Sequence, residues 1–325
     1  MGTDGAPAVE VAGALGALEE LDPEHEIVLV GDRQILEAEL ARHENPPLSR
    51  LTIHHAPDRV LPGEKAASVV RKKPDSSIVV ALRLQQEGEV DAVVSAGSTG
   101  AIMAASLIIL RALEGVDRPA VGTLLPTAAK PVLLLDAGAN VDCKPLHLAQ
   151  FAHLGHIYAQ DLMGVKHPRI GLLNIGEEPE KGDEVALETH HLLAADRTLN
   201  FVGNIEGREI IRGKCDVLVA DGFVGNVLLK FYESVAQFVI GLLEGALRDA
   251  QMTLDLDRLL GVLDYSEYGG APLLGVNGVS IVCHGGSPPK AIRNAIGVAA
   301  QAVRSDMVTH IARELAALKT ARAAG

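Results

Sequence analysis

Short runs of aliphatic and β-branched residues recur along the chain, each closed by Gly, Asp or Asn. They read as buried strands at Ile27–Val30, Leu51–His54, Ala92–Ser95, Val121–Leu124, Val132–Leu135, Ile170–Asn174, Phe201–Gly203, Val217–Ala220 and Ser280–Cys283. Stretches of helical period lie between them, near Ala8–Glu20, Arg33–Arg42, Ser76–Glu87, Thr99–Ala112, Pro145–Met163 and Asp183–Ala195. This alternation predicts an α/β protein with a three-layer α/β/α arrangement around a mostly parallel sheet. The last third differs. Asn226 to about Asp249 predicts one long helix, and Leu254–Leu263 a second, with Gln251–Thr253 as the tip between them. Phe238–Leu243 is apolar on more than one face, which suits burial against a partner. A final helix is expected to open with Ser287 as N-cap and Pro288 at its first position. Its apolar face runs through Ile292, Ile296, Ala299, Val303, Met307 and Ile311.

Composition narrows the function classes. The 325 residues carry 48% hydrophobic residues, only 3% aromatics and no Trp, so Val, Leu, Ile and Ala must build the core. The net charge of −13 disfavours nucleic acid, whose phosphates demand Lys/Arg stripes. The three cysteines, Cys143, Cys215 and Cys283, form no CxxC and show no zinc-ligand spacing, so neither a disulfide framework nor a metal site is expected. No apolar run reaches ~18 residues, so no spanning helix is expected, and the N-terminus lacks the pattern of a signal peptide.

Four segments share one design, in which a strand leads through a polar glycine turn into a helix start. They are Ser95–Ala101, Asn174–Gly182, Asp221–Asn226 and His284–Pro288. Helix N-termini offer unsatisfied N–H groups, and glycine lets backbone approach an anion. Asp136–Lys144 adds Asp, Asn, Asp and Lys directly after an apolar strand. Such turns collect at the carboxyl edge of α/β sheets, where ligands bind. A single turn of this kind needs no ligand to explain it; five along one chain point to phosphate or another anion. GxGxxG, GxxxxGK[ST] and GxSxG are all absent, which removes the usual dinucleotide, Walker-type and α/β-hydrolase signatures. The adjacent pairs His54-His55 and His190-His191 read as surface histidines rather than metal ligands, because neighbours in sequence point to different faces.

The motifs SAGSTGAIMAA, LLLDAGANVDCKP, GLLNIGEEPEKG, NFVGNIEGRE, VADGFVGNVLLK and EYGGAPLLGVNG, in this order, closely resemble the phosphate acyltransferase PlsX family of bacterial phospholipid synthesis. The resemblance runs from about Met1 to Ser305. It implies a fold like that of isocitrate and isopropylmalate dehydrogenases and phosphotransacetylases, as one catalytic domain over 1–325 with a protruding helical hairpin arm at 226–263. It implies transfer of a fatty acyl group from acyl-[acyl-carrier-protein] to inorganic phosphate, with no cofactor. Implied partners are acyl carrier protein, phosphate, a second copy of the chain, a peripheral contact with the inner face of the membrane from a cytoplasmic protein, and a downstream glycerol-3-phosphate acyltransferase. Lys181 is then expected to neutralise phosphate or the oxyanion, and Asn226 to position the acyl carbonyl or phosphate. Ser98, Thr99, Gly100, Asn140, Lys144, His284 and Ser287 are the remaining candidate phosphate ligands. Plain alternatives are a solvated loop lysine for Lys181 and an N-cap for Asn226.

The sequence departs from the family pattern in places. Met1–Pro7 matches only the end of a DAMGGDxAP-like motif, so the first strand is expected to be missing. Ser98 stands where Asn is usual, and Gly286 and Pro288 alter an HGSSD-like turn. A basic patch for an acidic carrier protein is expected near Arg208 and Arg212 or on the arm. A coenzyme A-dependent phosphotransacetylase and a membrane-recruited scaffold without activity are the alternative readings.

Overall fold

In the computed structural model, the buried runs form strands, mostly paired in parallel, and the stretches between them form helices. Residues 2–61, 63–64, 66, 69–249 and 269–324 are described. The chain falls into two compact units, Met1–Pro119 with Tyr268–Gly325, and Ala120–Glu267.

In the first unit, α1 (Ala8–Glu20) precedes β1 (Ile27–Gly31), α2 (Arg33–Leu40) and β2 (Leu51–His55). β1 and β2 pair in parallel. The α1 C-terminus is closed by Arg50, whose guanidinium donates to the carbonyls of Leu18, Leu21, Asp22 and His25. Leu18 and Leu21 are acceptors a helix end leaves open, and Asp22 and His25 belong to the loop that follows. Next along the chain are α3 (Val69–Lys72), α4 (Ser77–Gln86), β3 (Ala92–Ser95) and α5 (Thr99–Ile109). Among the described residues, no strand precedes α1; Gly2–Pro7 form a turn.

In the second unit, β4 (Ala120–Leu125) pairs antiparallel with β5 (Val132–Leu135). Next come α6 (Pro145–Asp161), β6 (Arg169–Leu173), α7 (Glu184–Ala195), β7 (Asn200–Ile205), α8 (Gly207–Ile210), β8 (Val217–Val219) and α9 (Gly222–Asp249). The strand order is β4-β5-β8-β6-β7, and the pairs β5–β8, β8–β6 and β6–β7 are parallel. Every residue of β5 and β8 is buried. Strands covered on both faces need this continuous apolar character.

The chain then returns to the first unit with β9 (Ala271–Leu274), β10 (Val279–Val282), α10 (Pro289–Arg304) and α11 (Met307–Ala324). β10 pairs in parallel with β3 and antiparallel with β9.

The α/β architecture with a mostly parallel sheet is as the sequence predicts; the differences are local. β9 is an additional strand. The final helix is two helices, broken at Asp306, which adopts φ 51°. Its N-cap is Pro288, one residue later than expected, and Ser287 is buried in the preceding turn. The long helix begins at Gly222, so the DGFVGN glycines form its first turn. Its partner helix and the hairpin tip fall outside the described residues. Gly222–Leu243 is also long and apolar enough, by length and composition, to cross a membrane. The expectation of no spanning helix misses it because Asn226, Lys230, Glu233, Ser234 and Gln237 interrupt the apolar run.

Candidate active site

Asp136 organises the turn after β5. It is fully buried. Its Oδ1 accepts from the N–H groups of Val121 (3.0 Å), Gly138 (3.2 Å) and Ala139 (3.0 Å). Its Oδ2 accepts from Asn140 N–H (2.6 Å) and Asn140 Nδ2 (3.0 Å). Burial pushes the carboxyl above its ordinary value, and these donors pull against that shift. With both oxygens engaged, Asp136 is the anchor of its turn and not an available base. Asn140 serves the same anchor.

The turn after β8 is fitted to this one by what its glycines lack. A Cβ on Gly225 would lie 1.9 Å from the Asp136 carbonyl oxygen, and one on Gly222 would lie 2.7 Å from Asn140 N. Gly222 N–H donates to the Asn140 carbonyl at 2.7 Å. Asp221 Oδ1 accepts from the N–H groups of Phe223 and Val224 and so caps α9. Asn226 is therefore inside the helix, and the N-cap reading of it is corrected. Its side chain lies over Gly138: a Cβ there would sit 3.4 Å from Asn226 Cγ.

The third turn, after β6, carries Lys181. Asn174 Nδ2 donates to the Lys181 carbonyl at 2.9 Å, and Lys181 N–H donates to the Glu178 carbonyl at 3.1 Å. Asp183 caps α7 through Ala186 N–H. The Lys181 side chain is exposed and its stem lies along Gly176. Lys144 is exposed at the start of α6, where His147 Nδ1 accepts from its N–H.

These turns leave the carboxyl ends of β5, β8 and β6, three neighbouring parallel strands. Adjacent strands lie ~4.8 Å apart, so the turns share one edge of the unit. Asn140, Lys144, Lys181 and Asn226 are thereby brought to that edge.

In the first unit, β3 and β10 likewise deliver two turns to one edge, tied by Cys283 N–H to the Ser95 carbonyl. Ser98, Thr99 and Gly100 are exposed at the α5 N-terminus, and the Ser98 side chain makes no cap bond. His284 is exposed, and its Nδ1 accepts from Gly286 N–H. The Gly2–Pro7 turn joins them through Asp4 N–H to the Gly285 carbonyl.

Two other expectations change. His190 is buried and hydrogen-bonded to Asn204, so it is not a surface histidine; His191, His54 and His55 are exposed. Arg208 is paired with Glu206 at 2.6 Å, so it supplies no unbalanced charge to a basic patch.

An α/β sheet with glycine turns at its strand ends is a fold shared with solved structures. EutD phosphotransacetylase from Staphylococcus aureus matches with a TM-score of 0.62 at 17% identity, over 91% of this chain and 92% of that one. A branched-chain phosphotransacylase from Enterococcus faecalis matches at 0.59 and 15% identity, over 93% and 96%. The family model described as fatty acid synthesis protein matches residues 1–310, and the chain belongs to that family. A phosphate acyltransferase of Desulforamulus reducens is 48% identical over 322 residues, covering 97% of this chain and 95% of the relative. One from Heliobacterium modesticaldum is 49% identical over 319 residues, covering 96% and 94%. The chain is thus an acyltransferase with phosphate as the acyl acceptor.

Proposed function

We propose that the protein transfers a fatty acyl group from an acyl-carrier-protein thioester to inorganic phosphate, releasing acyl phosphate and the carrier thiol. One observation supports this most directly. The turns that offer backbone N–H groups to an anion also carry exposed apolar side chains: Val141 (68% exposed), Ile175 (84%) and Phe223 (62%). An edge with both characters suits phosphate beside a fatty chain.

A phosphate oxygen attacks the thioester carbonyl and forms the new C–O bond. The tetrahedral intermediate then collapses, the C–S bond breaks, and the thiolate leaves and takes a proton from solvent. No protein nucleophile is needed; the work is alignment and stabilisation of developing charge. Lys181 balances the charge of phosphate or the oxyanion, and Asn226 donates its amide to the carbonyl or phosphate. Lys144 binds phosphate at the same edge as Lys181; at the first unit's own edge, Ser98, Thr99, Gly100, His284 and Ser287 are the proposed phosphate ligands. Asn140 contributes by holding its turn. In this reading the protein works as a homodimer in the cytoplasm, with a peripheral membrane contact through the arm, and hands acyl phosphate to a glycerol-3-phosphate acyltransferase.

Thiol release dependent on phosphate, measured with long-chain acyl carrier protein and with acyl coenzyme A, tests the donor. Preference for the carrier protein is expected; preference for coenzyme A would replace the reading with a phosphotransacetylase-like one. Lys181→Ala and Asn226→Ala are each expected to lower the rate by about 100-fold, the scale of removing one transition-state donor. A near-normal rate in folded protein removes that residue from the site.

A further inference from the structure

The turn that carries Lys181 is exposed along Glu177–Lys181, so little apolar packing holds it. What fixes it is polar: Asn174 after β6 donates to the Lys181 carbonyl, and a second, buried hold comes from β7. Strands β6 and β7 run in register at Ile170↔Phe201, but the next pair is Leu172↔Asn204. β7 has spent one residue more than β6 between those pairs, at Val202-Gly203, and Gly203 adopts φ +91°. An extra residue in a strand turns the later side chains to the opposite face. After the bulge both Asn204 and Ile205 are buried, Asn204 at 2% exposure.

Asn204 Nδ2 donates to the Glu178 carbonyl at 2.8 Å. That same carbonyl accepts from Lys181 N–H. Asn204 Oδ1 faces His190 Nδ1 at 3.0 Å. Because Nδ2 is committed to a carbonyl, Oδ1 must be the acceptor, so His190 Nδ1 carries a proton. His190 stands on α7 and packs edge-on against Phe201 with centroids 5.1 Å apart. The amide of Asn204 thus has one orientation, and through the Glu178 carbonyl it holds the N–H side of Lys181, while Asn174 holds the carbonyl side.

We propose that Asn204, oriented by His190, is the positioning residue that sets the Lys181 turn for catalysis. This rests on the role given to Lys181 above, and the test separates the two. The measurements are hydrogen–deuterium exchange at amides 177–182 and the steady-state rate of phosphate-dependent thiol release from long-chain acyl carrier protein, on the full chain. The variants are Asn204→Ala, His190→Leu, His190→Asn and Lys181→Ala. Asn204→Ala is expected to speed exchange at 177–182 about tenfold, with β5 and β6 unchanged, as loss of a buried hydrogen bond allows. Its kcat is expected to fall about tenfold, with KM for the acyl donor moving less than about threefold. His190→Leu gives a smaller change of the same sign, and serves as the perturbation if Asn204→Ala does not fold. His190→Asn places an amide donor where Nδ1 was and is expected to restore both readouts to within about threefold of wild type.

Unchanged exchange at 177–182 in Asn204→Ala overturns the inference, as does faster exchange throughout β5, β6 and β7, which marks a general structural role. Faster exchange with an unchanged rate also overturns it. His190→Asn as damaging as His190→Leu overturns the part assigned to His190. If Lys181→Ala keeps the wild-type rate, the role of Lys181 falls, and exchange still decides whether Asn204 holds the turn.

Discussion

Asp136 shows why a polar residue at the end of a buried strand is not automatically a ligand. Its hydrogen bonds run mostly to backbone N–H groups, which no residue pattern encodes. The sequence marks the turn after Leu135 as unusual, but the donors that consume the carboxylate become visible only when Val121 and Ala139 are placed around it. Asp136→Asn keeps the shape and turns part of an acceptor toward donors. It is expected to cost about 2–3 kcal/mol in urea unfolding and to abolish activity with the turn it holds. Gly225 and Gly241 make a second test within one helix. A Cβ at Gly225 meets the Asp136 carbonyl oxygen, whereas one at Gly241 meets nothing within 4 Å. Gly225→Ala is expected to destabilise by roughly 3 kcal/mol. Gly241→Ala is expected to stabilise by about 0.5–1 kcal/mol, because a helix interior favours Ala. Equal effects in thermal melts would mean that the two turns are not fitted to one another through Gly225. Cys283 is buried, and its thiol is pushed up to about 12. A fast reaction with a thiol reagent at pH 7 would contradict that burial.

At the scale of elements, α9 is the clearest case of pattern outrunning packing. Phe223, Val227, Phe231, Val235, Phe238 and Leu242 recur at helical spacing, and every one is exposed. An apolar stripe of this length on a water-facing helix needs a cover. A second copy of the chain is the cover expected here. The wild type is expected to sediment as a pair in sedimentation velocity, and Phe231→Glu combined with Phe238→Glu is expected to leave a species of single-chain mass, 34.1 kDa. An unchanged assembly would assign the stripe elsewhere. The stripe is legible in the sequence because its period is strict. The elements that are not legible fail for local reasons. β9 contains Pro272, which demotes a run as a strand, yet it pairs antiparallel with β10. The α10–α11 break falls at Asp306, whose left-handed backbone is not signalled by the continuous apolar face from Ile292 to Ile311. β7 reads as a strand, but its bulge does not, so His190 is assigned to the surface while its partner Asn204 is carried inward.

For the whole molecule, two part-buried carboxylates on the second unit show how stability should respond to acid. Asp216 is partly buried, which opposes its charge, but the Arg169 guanidinium and N–H outweigh that and hold its carboxyl below the ordinary value. Asp196 is likewise opposed by burial, and is held low by Thr198 and by His153 at 3.0 Å. A carboxyl lowered on folding contributes stability above its unfolded pKa, near 4, and loses it as pH falls through the lower folded value. Asp136 has the opposite sign: its raised carboxyl favours the folded state at low pH and offsets part of the loss. The lowered carboxyls, with Glu10, Glu64 and Glu209 beside Asp196 and Asp216, outnumber Asp136, which predicts a melting temperature nearly flat from pH 7 to about pH 5, then falling below about pH 4. Asp216→Asn should melt lower at pH 7 and show a shallower acid fall, because the linked proton is gone. Asp136→Asn should steepen the fall, because the group that resisted it is gone. Slopes that moved in the same direction in both variants would mean that the acid transition is set by the net charge of −13 and not by these individual sites.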